Sequence, residues 1–248
     1  MSAALVTGAA KRIGAAIARR LAAAGYAVAI HCRDSRAEAD ALAEEIARQG
    51  GRAAVVAGDL AEPSACARVV AEAAAALGGL DLLVNNASLF LPDTLADVEP
   101  GLWDRHFAVN ARAPVLLAQA FAAQAGGRSD PSIVNIVDQR VLRLTPQFFS
   151  YTLSKAALHA ATVTMAQALA PSVRVNAVGP GPTAANIHDG EEGLAREAAG
   201  VPLARAVDPA EIAEAVLYLA RARSVTGQLL AVDAGQHIGW RTPDIIET

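Results

Sequence analysis

Residues 6–26, VTGAAKRIGAAIARRLAAAGY, carry an apolar strand into a glycine turn and from there into an amphipathic helix. Gly8 suits the tight turn and Gly14 lets the helix pack close to the sheet, which leaves the helix amino terminus open to an anionic pyrophosphate. Glycines near a helix start mean little alone. Placed after a first strand and opening an amphipathic helix, they indicate a dinucleotide site.

The pattern that begins there repeats along the chain. Short apolar runs (AALVTG, YAVAIHC, AAVVAGDL, LDLLVNNA, SIVNIVD, VRVNAVGPG, QLLAVDAG) alternate with helical patterns over 13–24, 36–49, 63–77, about 99–125, about 149–170 and about 209–221. This alternation predicts an α/β fold: a single Rossmann-like doubly wound parallel sheet with helices on both faces. No shift of composition divides the chain, so residues 1–248 read as one domain. Two stretches break the rhythm, 87–98 and 181–208. The second is longer than a routine connection and reads as a substrate loop or lid, or else as a mobile surface loop.

Composition narrows the classes. A chain of 248 residues with 53% hydrophobic content fills a sizeable core, and a net charge of −4 without a basic run argues against a nucleic-acid surface. Nothing at the start resembles an export signal, and no apolar run reaches the roughly 18 residues that span a bilayer. Cys32 and Cys66 form no metal or redox spacing. The expected setting is the cytoplasm. His106, His159, His188 and His237 have neither i,i+4 partners nor cysteines, so no metal site is expected and they read as surface or interface residues. Trp103 reads as packing, and the tail around Trp240 as either an interface segment or a frayed end.

The second apolar run ends HCRDS. An acid at this point usually holds the adenosine ribose hydroxyls of NAD, whereas here His31 and Arg33 come first. Arg33 and the Ser35 hydroxyl suit a 2′-phosphate and Arg12 adds charge, so NADP(H) is the expected cofactor; Asp34 points the other way.

Residues 132–140, SIVNIVDQR, end a β-branched run in a carboxylate, Asp138. Thirteen residues later comes YTLSK, where Tyr151 and Lys155 share one helical face. An ammonium beside a phenol is expected to lower the phenol's pKa and make it a proton donor near neutrality.

TGAAKRIG, NNAS, the VNA around Asn110, YTLSK and NAVGPG, in this order across nearly the whole chain, resemble the short-chain dehydrogenase/reductase family. The resemblance implies seven parallel strands, a homotetramer and hydride transfer to or from a nicotinamide. It implies Tyr151 as general acid, Lys155 on the nicotinamide ribose, and Asn110 placing a water in the proton relay. Asp59 then meets the adenine, Asn86 and Ala87 line the ribose, Pro180 and Gly181 flank the nicotinamide, and Ile13, Leu60 and Ser88 also belong to the cofactor site.

Two positions depart from the common pattern: Arg12 where a glycine is usual, and Asp138 where the strand usually ends in serine. With HCRDS and NNASLF they resemble the pteridine reductase branch. A serine hydroxyl suits a developing alkoxide, whereas reduction of a pterin C=N bond needs a proton at ring nitrogen, which Asp138 beside Tyr151 can relay. The same resemblance makes Phe90 the ring that stacks the substrate, with Ser88 and Arg12 at its edge. The expected function is NADPH-dependent reduction of a pteridine of the dihydrobiopterin, dihydromonapterin or dihydrofolate type. The alternatives are a reductase or dehydrogenase of another carbonyl or imine, and a non-catalytic NADPH-binding regulator.

Overall fold

Strand β1 (Ala3–Val6) is buried on both faces, and its side chains divide by parity. Ala3 and Leu5 enter one apolar cluster, Ala4 and Val6 the other. That is the period-2 consequence of a parallel sheet covered on both sides. The same split continues through β2 (Ala27–Cys32), β4 (Leu82–Asn85), β5 (Ser132–Ile136) and β6 (Arg174–Pro180). Strands β3 (Ala53–Ala57) and β7 (Leu229–Val232) form the edges. In this computed structural model, which describes residues 2–183 and 190–240, all pairings are parallel and the strand order is β3-β2-β1-β4-β5-β6-β7. The expected doubly wound sheet of seven strands is therefore present.

Helices α1 (Arg12–Ala23), α2 (Arg36–Arg48) and α8 (Pro209–Arg221) cover one face; α3 (Pro63–Leu77), α5 (Ala113–Gln124) and α6 (Phe149–Leu169) cover the other. Helix α1 shows why the amphipathic pattern is decisive: Gly14, Ala15, Ile17, Ala18 and Leu21 form one buried stripe, and small residues on it allow close packing along α8. Each fully buried Leu or Ile of these clusters contributes roughly 1.5–3 kcal/mol. The polar Asn135 inside β5 is paired, accepting from Asn85 at 2.8 Å and donating to Thr162 at 2.9 Å.

Two local results differ from the sequence reading. The pattern over 99–125 is α4 (Pro100–Phe107), then a π-helical turn at Ala108–Arg112, then α5. The stretch 181–208 is not one irregular loop. It contains α7 (Gly190–Ala199), formed by the helix-favouring GEEGLAREAA, and it is anchored by buried Ala198, Val201 and Val207. Residues 184–189 of that stretch, His188 among them, and the tail 241–248 lie outside the described residues. No described helix is long and apolar enough to cross a membrane.

The order reverses between β1 and β4, because the chain builds outward from β1 to β3 and then returns to the other side. Ligands of open parallel sheets bind at the carboxyl ends of the strands beside such a reversal.

Candidate active site

The carboxyl ends of β1 and β4 are tied by side chains that no single motif contains. Thr7 Oγ1 accepts from the backbone N–H groups of Asn86 and Ala87 at 2.9 and 3.0 Å, and Asn86 Nδ2 donates to the carbonyls of Thr7 and Gly8 at 2.9 and 3.0 Å. Gly8 lies at φ 60°, and a Cβ there would stand 2.9 Å from Ala87 Cα. At Gly14 a Cβ would meet the Gly8 carbonyl at 2.3 Å, so any side chain would push α1 off the turn. Arg12 adopts φ 53°, the left-handed region that a glycine enters freely and an arginine at a cost of roughly 1–2 kcal/mol. Strain of this kind persists where the side chain itself is needed.

His31 sits beneath this turn and is 2% exposed. Gly8 N–H donates to Nδ1 at 3.1 Å, which fixes the imidazole proton on Nε2, and Nε2–H donates to the Gly58 carbonyl at 3.0 Å. Burial lowers the His31 pKa, opposed by the Gly58 hydrogen bond, so the ring is neutral. Both nitrogens are thereby engaged with backbone, and the residue braces the turn from below. Arg33 donates to Asp34 at 2.6 Å; both side chains are largely exposed, at 53% and 74%, and a pair this open yields readily to a stronger anion.

At the other end, Asp138 arrives just past β5. Tyr151, near the start of α6, donates its hydroxyl to Asp138 Oδ2 at 2.8 Å, and Arg140 N–H donates to Oδ1 at 2.8 Å. Burial, followed by the Asp138 charge and hydrogen bond, holds Tyr151 well above the ordinary phenol range. This corrects the expected lowering. Lys155 Nζ stands 5.8 Å from the Tyr151 ring centroid and donates to the Ile136 carbonyl at 2.8 Å, so the nearer carboxylate outweighs it. Burial brings Lys155 down to about 8.

Phe90 meets Tyr151 edge-on at 4.7 Å and stacks on Phe148 at 4.2 Å, while the Arg140 guanidinium lies 5.6 and 5.2 Å from the two ring centroids. Phe148 takes φ 52° just ahead of α6. Asn110 is wholly occupied by protein. Its Oδ1 accepts from Leu89 N–H at 2.8 Å and Ser88 Oγ at 3.2 Å, and its Nδ2 donates to the Leu89 carbonyl and Ser154 Oγ at 2.9 and 3.0 Å.

One cleft of about 560 Å³ joins both ends. It is lined by Gly8, Arg12, Ile13, Gly14, His31, Arg33 and Ser35, then by Asp59, Leu60, Asn86, Ala87, Ser88 and Phe90, and finally by Asp138, Tyr151, Lys155, Pro180 and Gly181. Asn110 lies behind this lining, fully buried. Sequence reasoning missed Thr7, Arg140 and Phe148. VTG holds a hydroxyl at the strand end, which is a usable signal for Thr7; nothing local announces the other two. His106, expected at a surface or interface, is 0% exposed, because the loop at Leu91 and the start of α6 close over it. His159 is half-buried, and His237 Nδ1 lies 2.7 Å from Asp233 Oδ2.

The family model described as enoyl-(acyl carrier protein) reductase matches residues 8–237. The crystal structure of FolM alternative dihydrofolate reductase 1 from Brucella canis, complexed with NADP, superposes with a TM-score of 0.95 at 48% identity, over 99% of this chain and 97% of that one. A short-chain type dehydrogenase/reductase of Picea abies is 33% identical over 94% of this chain and 91% of its own length. The 3-oxoacyl-[acyl-carrier-protein] reductase FabG of Staphylococcus aureus is 30% identical over 95% and 98%. The cleft at the sheet reversal, the Tyr151–Lys155 pair beneath Asp138 and these similarities converge: the chain is an oxidoreductase belonging to the short-chain dehydrogenase/reductase family.

Proposed function

We propose that the protein is an NADPH-dependent reductase of a pteridine C=N bond, with a substrate of the dihydrobiopterin, dihydromonapterin or dihydrofolate type. The observation that carries this reading is the 2.8 Å hydrogen bond between Tyr151 and the Asp138 carboxylate, set beside the Phe90 ring. The structural similarity to an NADP-bound FolM reductase supports it.

The residues present fit the cofactor. The cleft runs from Arg33 and Ser35 to Tyr151, with glycines where a backbone must come close and Arg12 at the start of α1. Arg33, Ser35 and Arg12 hold the 2′-phosphate and pyrophosphate, and a phosphate displaces the exposed Asp34 from Arg33. When bound, the nicotinamide supplies the hydride.

The chain's own groups supply the rest. Phe90, backed by Phe148, offers a flat face for a heterocycle. The Tyr151 phenol, kept protonated by burial and the adjacent carboxylate, is the proton donor for the ring nitrogen. Asp138 and Tyr151 share one hydrogen-bonded proton; the ring nitrogen takes it, and the emptied pair takes its replacement from solvent. Lys155 stands beneath them as the fixed cation on the ribose side. The reading extends to a homotetramer, which rests on the family alone, and to the cytoplasm, which rests on the spacing of Cys32 and Cys66.

The test is NADPH consumption on dihydrobiopterin, dihydromonapterin and dihydrofolate against simple ketones and a 3-oxoacyl thioester, by the native protein and by Asp138→Ala. Turnover of a pteridine, cut strongly in the variant, is the expected result. Activity confined to ketones or thioesters overturns the proposal.

A further inference from the structure

Beside the cleft lies a chain of buried polar side chains that the proton relay does not use. Asp93 is 5% exposed and Ser150 and His106 are 0% exposed. Ser150 Oγ donates to Asp93 Oδ2, and Ser150 N–H donates to both carboxylate oxygens at 3.1 and 3.2 Å. His106 Nδ1 stands 2.7 Å from Ser150 Oγ, and Leu91 N–H donates to His106 Nε2 at 3.3 Å. Because Nε2 receives a donor, the imidazole proton resides on Nδ1, which donates to Ser150. The serine in turn donates its own hydrogen bond to Asp93. One protonation pattern, a neutral His106 beside an ionised Asp93, satisfies every contact in the chain.

The placement of the two ends matters. Leu91 follows Phe90, and Ser150 precedes Tyr151. On the other side of Phe90, Leu89 is held through both its N–H and its carbonyl by Asn110. His106 and Asn110 are four residues apart, across the junction of α4 with the π-helical turn, and together they grip the backbone on either side of the aromatic. A loop without regular structure is thus held at the two residues that flank its one ring in the cleft. His106 also lies 6.1 Å from the Tyr151 ring, at a steep angle.

We infer that His106 is a positioning residue of this enzyme. With Asn110 it fixes the Phe90 ring against Tyr151, and it thereby sets affinity for a flat substrate without touching that substrate. The link to substrate affinity rests on the pteridine reading; the clamp on the loop does not.

The experiment compares His106→Leu, His106→Gln and His106→Asn with the native protein, measuring pteridine KM, kcat, NADPH Kd and the hydrogen-exchange rate of the 87–93 backbone. Gln keeps an acceptor near the Nε2 position for Leu91, whereas Asn keeps a donor near Nδ1 for Ser150 and leaves Leu91 N–H unpaired. A half-buried donor left unpaired, in a loop that carries Phe90, predicts a pteridine KM raised roughly tenfold in the Leu and Asn variants. Faster exchange at Leu91 accompanies it, NADPH Kd stays within about twofold, and Gln restores most of the loss. Should the Leu variant fail to fold, the Gln and Asn pair decides the matter alone. Equal behaviour of Gln and Asn, an unchanged Leu91 exchange rate, or NADPH affinity falling in step with KM overturns the inference. If the native protein turns over no pteridine, the substrate reading has failed, and the clamp stands or falls on the exchange measurement.

Discussion

Among the described residues two histidines are buried beside one cleft, and they do opposite kinds of work. His31 lies under the phosphate turn and bonds only to backbone, from Gly8 on one side to Gly58 on the other. His106 lies under the loop that carries Phe90, where its contact with Leu91 N–H is joined to a relay of side chains through Ser150 and Asp93. The difference reflects what each half of the cleft must hold. A pyrophosphate is recognised by main-chain N–H groups at a helix start, so that half needs a fixed backbone. On the proposed function the other half receives a heterocycle, recognised by one ring and one proton donor, and needs fixed side chains brought from separate segments.

If the halves are separable in this way, the largest effect comes from removing the proposed proton donor. Tyr151→Phe is expected to lower turnover by about 10²–10⁴-fold. NADPH affinity, measured by fluorescence titration, should change by less than about twofold, since the lost hydroxyl contacts Asp138 and not the phosphate turn. A parallel collapse of cofactor affinity would break the comparison, because it would mean that the Tyr151–Asp138 bond also holds the first half in shape.

This separation also explains which parts the sequence disclosed. The sheet, its parallel connections and the glycine turn are short-range patterns: Gly8, Gly14 and the apolar stripe of α1 occupy one continuous stretch. Arg12 was legible as a departure from a glycine position, and its φ of 53° gives the reason that glycine is the easier residue there. His31 lines the cleft, yet its burial depends on where Gly58 falls, which the local sequence does not encode. His106 was misread as a surface or interface residue because its partners Ser150 and Leu91 come from α6 and from an irregular loop. Phe148 and Arg140 escaped for the same reason, since a ring stack between residues 90 and 148 has no periodicity to reveal it. The helix α7 was hidden by the Gly and Pro residues around it, although GEEGLAREAA favours a helix on its own.

A smaller effect sharpens the role of His31. His31→Leu removes the acceptor for Gly8 N–H and leaves the Gly58 carbonyl without its donor, so NADPH Kd should rise roughly tenfold by titration calorimetry. His31→Asn keeps an acceptor near the Nδ1 position and should recover part of that loss. With cofactor saturating, kcat on the best substrate should remain near the native value in both variants, because Tyr151 and Phe90 are untouched. A fall in kcat without a change in NADPH affinity would assign His31 to the wrong half.

The smallest effect concerns acid stability, and it joins the two histidines again. Burial lowers both pKa values below the ordinary 6.5, opposed by the Gly58 hydrogen bond at His31 and by the Asp93 charge at His106. Below 6.5 the unfolded chain therefore takes up protons that the folded chain refuses, so the unfolded state gains and stability falls as pH drops. Each histidine contributes a slope of at most about 1.4 kcal/mol per pH unit until its folded pKa is reached. Urea midpoints between pH 7 and 5.5, above most carboxylate titration, should decline in the native protein and decline less in His31→Asn and in His106→Gln. In the double variant the two reductions should add, since the rings belong to separate networks that share no hydrogen-bond partner. A reduction that fails to add would show that the phosphate turn and the Phe90 loop open as one unit, and the two halves would then have to be treated as a single cooperative site.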